Sequence, residues 1–185
     1  VLRSEDGGRT WQIRSIGLGN YEITSFAIDP FDSDTLYAGA GAFAESNKAG
    51  IYVSHNAGLT WQHLPSTFQN RITFRRYRTS DAIAADPSEQ GVLLGGSRDN
   101  GIWRSTDAGQ SWTRVFLPEA VDGRLPSIEG GSVLDDDPPA PSVPAVSVVV
   151  FDPNDSDVVY AGLLGGGVVK STDGGSSGSW QAADT

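Results

Sequence analysis

The sequence predicts an all-β fold of short antiparallel strands, and three observations carry that prediction. Glycine makes up 23 of the 185 residues and falls largely at turn-like positions between short apolar runs. No 12-residue window holds a 3.6-residue apolar period, so helix signals are nearly absent. A polar, glycine-turned octamer recurs: SEDGGRTW at 4–11, SHNAGLTW at 54–61, STDAGQSW at 105–112 and, more loosely, STDGGSSGSW at 171–180.

A second element precedes each later box: AIDPFDSDTLYAGA (27–40), AADPSEQGVLLGGS (84–97) and FDPNDSDVVYAGLL (151–164). Box-to-box spacings are 50, 51 and 66 residues, a period that reads as propeller blades. The strands follow in order. EITSFAI (22–28) runs into an Asp-Pro turn, DTLYAG (34–39) follows, and GIYVS (50–54) leads through the box to TWQHL (60–64). The second unit supplies DAIAA, GVLLGG, GIWRS and SWTRVF, and the third VSVVVF, DVVYAG, GVVKS and SWQAA. Proline presets φ and glycine tolerates positive φ, so Asp-Pro and Asp-Ala/Gly-Gly steps form tight turns between four strands of one blade. The expected organisation is a single segment over 1–185: residues 1–15 end one blade, 21–65 and 81–117 are blades, 118–145 is a long insertion, and 146–183 is a blade. Three blades and a hairpin do not close a ring, so the expected fold is a partial or oligomer-completed β-propeller of four-stranded antiparallel blades with box hairpins. A start inside a repeat, without Met, suggests a fragment, a processed product, or one part of a longer polypeptide.

Within the box, the residues expected to build the frame are Ser4, Asp6, Gly8 and Trp11; Ser54, Asn56, Gly58 and Trp61; Ser105, Asp107, Gly109 and Trp112; and Ser171, Asp173, Gly175 and Trp180. A short Asp or Asn bonds the backbone two residues on and fixes a turn. Glycine supplies the unusual dihedral. A tryptophan packed between sheets buries enough surface to contribute about 2–3 kcal/mol or more. A catalyst is needed once or twice, whereas this motif appears in every unit and tolerates Asn56 in place of the carboxylate. The box reads as frame.

Thirteen Lys and Arg against 23 Asp and Glu give a formal charge of −10, which argues against nucleic acid or an anionic membrane as partner. Apolar runs stay below 18 residues, so no membrane-spanning helix is expected. Without cysteine there is no thiol nucleophile or thiolate metal site. His55 and His63 lack further His or Cys support, and no metal or cofactor is expected.

The motif S-x-D-x-G-x-T-W resembles the Asp-box, or BNR, repeat of sialidases, sortilin-like ectodomains, photosystem II assembly propellers and xyloglucan-active glycoside hydrolases of family 74. The stretch DAIAADPSEQGVLLGGSRDNGIWRSTDAGQSWTRV (81–115) looks most like a blade of the family 74 hydrolases, which also have a long connection before a strand ending in FDP, as at 151–153. The resemblance implies an exported protein, extracellular or periplasmic. It also implies inverting hydrolysis by one aspartate from each of two propellers, each in a segment of aspartate, aliphatic, Gly-Gly. Here YAGAGAFAE, GGSRDNGIW and YAGLLGGGVV stand at the comparable places, and only Asp99 is a loose match. Catalytic residues are therefore expected to be absent from this segment. No sialidase arginine signature accompanies NYE (20–22), and the cysteine-rich region of sortilin-like proteins is missing.

Function is expected at the end of the blades opposite the boxes. The insertions at 40–49, 65–80 and 117–145 all join strands at that end. The loop STFQNRITFRRYRTSD (66–81) gathers Arg71, Phe74, Arg75, Arg76, Tyr77 and Arg78, the candidate binding loop. Arginine forks suit oxyanions and aromatic rings suit sugar faces; pairing with Asp122, Glu129 or Asp135–Asp137 is the plainer use of the same charges. The main expectation is a non-catalytic binding or scaffold segment whose partner is a protein, or the remaining blades of a larger chain. The alternative is a piece of an extracellular inverting endo-glucanase or xyloglucanase acting on polysaccharide.

Overall fold

The computed structural model describes residues 1–19, 22–41, 50–64, 82–97, 101–118 and 144–183. These residues form strands, turns and irregular backbone, with no helix among them. A two-stranded hairpin, β1 (Leu2–Arg3) and β2 (Gln12–Ile13), comes first. Three four-stranded sheets follow: β3 (Glu22–Ile28), β4 (Leu36–Gly41), β5 (Gly50–Ser54) and β6 (Gln62–His63); β7 (Ala82–Ala85), β8 (Leu93–Ser97), β9 (Gly101–Ser105) and β10 (Thr113–Phe116); and β11 (Val146–Asp152), β12 (Asp155–Leu163), β13 (Gly167–Ser171) and β14 (Gln181–Ala182). In each sheet consecutive strands pair antiparallel in chain order. These are propeller blades, and the chain is a partial propeller.

Three apolar clusters lie between successive blades, and strand alternation decides which residue enters which. On β4, Tyr37 enters the cluster with Ile83, Leu93 and Trp112 of the next sheet, while Leu36 and Ala38 face the other way, with Leu18 and Trp61. On β8, Leu93 points back to that shared cluster and Leu94 points forward, with Val149, Val159 and Val169 of the last sheet. The first two blades thus bury both faces, which is why their middle strands read as continuous apolar runs, whereas the last leaves Val148, Val150, Tyr160 and Val168 exposed on its outer face.

Small residues set how closely blades approach. A Cβ on Gly96 would lie 2.4 Å from Cγ1 of Val146 in the following sheet, so only glycine admits β11 there. Burial of Tyr37 between sheets, aided by the nearby Asp29 and Asp32 charges, pushes its phenol up to about 12.

Candidate functional site

The antiparallel order divides the fold into two ends. The Asp-Pro turns and the boxes share one end, and backbone bonds stitch them together: Ala57 N to Asp34 O (2.8 Å), Ala108 N to Gly91 O (2.9 Å) and Gly174 N to Asp157 O (2.9 Å). At the other end lie the flanks of the remaining connections, namely Gly41 and Gly50, Leu64 and Ala82, Ser97 and Gly101, and Pro118 and Pro144. The candidate loop residues Arg71, Phe74, Arg75, Arg76, Tyr77 and Arg78 fall outside the described residues, as do Asp99, Asp122, Glu129 and Asp135–Asp137.

The first three boxes share one hydrogen-bond pattern. The Ser4 hydroxyl donates to Asp6 Oδ1 (2.8 Å) and accepts the Gly8 N–H (2.7 Å). Asp6 accepts the N–H groups of Arg9 and Thr10 (3.0 and 2.9 Å) and the Thr10 hydroxyl (2.7 Å). The indole of Trp11 donates to Gly8 O (3.0 Å). Ser105, Asp107, Gly109, Ser111 and Trp112 repeat it, with Ser105 donating to Asp107 (2.8 Å) and Ser111 to Asp107 (2.6 Å). In the second box Asn56 keeps the same contacts with one bond reversed: its oxygen accepts from the Ser54 hydroxyl and the Thr60 N–H, and its amide nitrogen donates to Thr60 Oγ1 (2.8 Å), where a carboxylate accepts from the hydroxyl. Gly58 and Trp61 complete it, the indole donating to Gly58 O (2.8 Å).

The fourth box differs. Two extra residues bring Ser179 to the Ser171 hydroxyl (2.6 Å), in the place that the carboxylate holds elsewhere. Gly175 N–H still bonds Ser171 Oγ (3.0 Å) and Trp180 still bonds Gly175 O (3.2 Å), while the Asp173 N–H also leans on Ser171 Oγ (3.2 Å). The serine–glycine–tryptophan part of the motif survives a change that displaces the aspartate.

These contacts fix the electrostatics. Asp6 is lowered to about 2, first by the Thr10 N–H and hydroxyl and then by the Ser4 hydroxyl. Asp107 is lowered too, chiefly by the Ser111 hydroxyl and N–H. Asp32 is lowered by the Thr35 hydroxyl and the Asp34 N–H. Groups held so firmly as anions make poor general acids near neutral pH.

Other carboxylates at this end form turns. Asp29 accepts Phe31 N–H (2.8 Å), Asp86 accepts those of Ser88 and Glu89 (2.8 and 3.1 Å), and Asp152 accepts that of Asn154 (2.9 Å). An Asp–Thr–His array also occurs here: Thr35 donates to Asp32 (2.8 Å) and lies 3.0 Å from His55 Nδ1. With its proton given to Asp32, the buried Thr35 oxygen accepts from His55 and is not an activated nucleophile. Among the described residues no group of three or more His, Cys, Asp or Glu is placed to hold a metal ion. No described helix is long and apolar enough to cross a membrane.

Sequence reasoning missed the direction in which each tryptophan points. Trp61 packs with Leu18 beside the first hairpin and donates to Arg14 O (3.2 Å). Trp112 joins the cluster with Leu64 of the preceding blade, and Trp180 packs on the cluster containing Leu94 and Val115. Each of these three boxes therefore keys its blade to the unit before it. The motif alone carries no signal for this; only the register of the strand after the box sets it.

No family model matches the chain. Over 160 residues, 85% of its length, it is 28% identical to an oligoxyloglucan-reducing end-specific xyloglucanase of Emericella nidulans, and over 174 residues, 86% of its length, 27% identical to a xyloglucanase of Paenibacillus. It spans only 17% and 16% of those relatives. Among solved structures, the GH74 xyloglucanase of Xanthomonas campestris superposes on 98% of the chain with a TM-score of 0.68 at 28% identity, the chain covering 27% of that enzyme. The chain is a stretch of β-propeller similar in sequence to xyloglucanases and in structure to a GH74 xyloglucanase.

Proposed function

We propose that the chain is part of the propeller framework of an exported, xyloglucan-active glycoside hydrolase, and that its loop end lies along the polysaccharide while the catalytic carboxylates stand elsewhere in the parent protein. The observation that carries this reading is the match along almost the whole segment, in sequence and in superposition, to family 74 xyloglucanases. It favours the hydrolase over an independent scaffold propeller, the other expectation from the sequence.

The division of acidic residues supports a non-catalytic role. At the box end the carboxylates are spent on turns, as Asp29, Asp86 and Asp152 are, or on hairpins, as Asp6 and Asp107 are. An inverting pair needs two carboxyl groups about 6.5–9.5 Å apart across an open cleft, one of them protonated at working pH. The insertion-bearing end, with Arg75, Arg76 and Tyr77, is the surface assigned to sugar contact.

Affinity electrophoresis of residues 1–185 through xyloglucan-containing gels tests the reading. Retardation is expected, weakened several-fold in the Arg75→Ala/Tyr77→Ala double variant, with no shortening of the polymer. Unaltered mobility in xyloglucan removes the loop end as a sugar-binding surface. Cleavage by this segment alone contradicts the non-catalytic assignment.

A further inference from the structure

The chain contains a single Asn-x-Ser/Thr sequence, Asn154–Asp155–Ser156. Its other asparagines, Asn20, Asn47, Asn56, Asn70 and Asn100, have no serine or threonine two positions on. In this pattern the asparagine amide accepts an N-linked glycan where it stands on a surface turn of a secreted chain.

The fold supplies that turn. Asn154 lies between β11 and β12, where Asp152 pairs with Asp155, and its N–H donates to Asp152 Oδ1 (2.9 Å). The bond engages the backbone and leaves the residue exposed. The same turn occurs in the two earlier blades, with Phe31 N–H on Asp29 and Ser88 N–H on Asp86, both at 2.8 Å. A blade follows each of those turns, yet Phe31 is 49% exposed and Ser88 is exposed as well. The position thus faces solvent inside the arc as it does at the edge, and a further blade after the last leaves Asn154 open. Ser156 meets Ser88 of the preceding blade hydroxyl to hydroxyl. Once the blades are packed that contact engages the hydroxyl of the acceptor sequence, so the sequence is fully accessible only before the chain folds.

We propose that Asn154 is an N-glycan acceptor of the parent protein, modified as the chain enters a eukaryotic-type secretory pathway. The donor is an oligosaccharide carried on a polyprenyl diphosphate. The Asn154 amide nitrogen attacks the anomeric carbon of that oligosaccharide, the carbon–oxygen bond to the diphosphate breaks, and the amide gives up one proton. Polyprenyl diphosphate is the leaving group, and no oxidant or reductant is needed. The Asp-Pro turns share the box end, so the glycan is a bulky, hydrated group placed away from the loop end. The inference rests on the exported reading above and is independent of xyloglucan binding.

Secretion of the full-length polypeptide from yeast, behind a signal sequence of the host, tests the proposal. Mass spectrometry is expected to find a glycan on the peptide that contains Asn154, removed by peptide N-glycosidase with conversion of Asn154 to aspartate. Asn154→Gln and Ser156→Ala are each expected to abolish the modification of that peptide, and Ser156→Thr, which keeps the hydroxyl, to retain it. An unmodified Asn154 in the secreted wild-type protein overturns the proposal, as does a modification of the same peptide that persists in Ser156→Ala. Equal retardation of the glycosylated and deglycosylated protein in xyloglucan gels is also expected. A gain on deglycosylation would put the glycan at the loop end and overturn the placement argued from the turn. Occupancy is read by mass alone, so failure of the glycan assignment and failure of the sugar-binding assignment show separately.

Discussion

At the scale of single residues, the boxes show one backbone requirement met by different chemistries. Ala57 and Ala108 sit at φ of 55° and 56°, where the first and fourth boxes have Gly7 and Gly174 at 70° and 54°. A side chain in the left-handed region costs about 1–2 kcal/mol, partly offset because alanine also restricts the unfolded chain. Ala108→Gly is therefore expected to raise unfolding free energy by up to about 1 kcal/mol in urea titrations. A loss of stability would mean that the methyl group contributes packing that outweighs the strain. The carboxylates give a second residue-scale expectation. Asp6 and Asp107 have depressed folded values, so their contribution is present above the unfolded value near 3.8 and is lost as pH falls through the folded one, between about 4 and 2 for Asp6. Asp6→Asn should flatten that part of the stability–pH curve, as Asn56 already does naturally in the second box. An unchanged curve between these limits would show that the box bonds survive protonation.

At the scale of elements, the keyed tryptophan separates interior boxes from the first one. Trp112→Ala removes a side chain held in the cluster between two blades and is expected to cost about 3–5 kcal/mol. Trp11→Ala should cost under about 1 kcal/mol, because the indole is mostly exposed. Equal losses would mean that the box acts as a local hairpin lock and not as a key between blades. Gly109 makes the same point from the backbone: φ is +86°, and a Cβ would lie 2.6 Å from Cδ1 of Leu64 in the preceding blade. Gly109→Ala is expected to lower stability by at least about 2 kcal/mol, readable as a fall in thermal midpoint.

At the scale of the whole molecule, the strand order and the division into two ends were legible because turn chemistry is local. Asp-Pro and Asp-Ala/Gly-Gly fix where the chain reverses, so EITSFAI and GIYVS could be read as β3 and β5 to the residue. Packing direction was not legible. In LYAGAG both faces are buried against neighbours, and nothing in a continuous apolar run says whether Tyr37 or Leu36 points forward. The loop end was legible only as a place. Arg71, Phe74, Arg75, Arg76, Tyr77 and Arg78 have no fixed turn chemistry around them, so their types suggest contacts with sugar or carboxylate without setting a geometry.

Hydrolysis of xyloglucan by the full-length polypeptide that contains this segment, run beside residues 1–185 alone, is the most direct measurement. The parent protein is expected to release oligosaccharides from the polymer with inversion at the anomeric carbon, and the isolated segment to release none. A full-length protein that leaves xyloglucan intact would contradict the hydrolase assignment and return the segment to a binding or scaffold role.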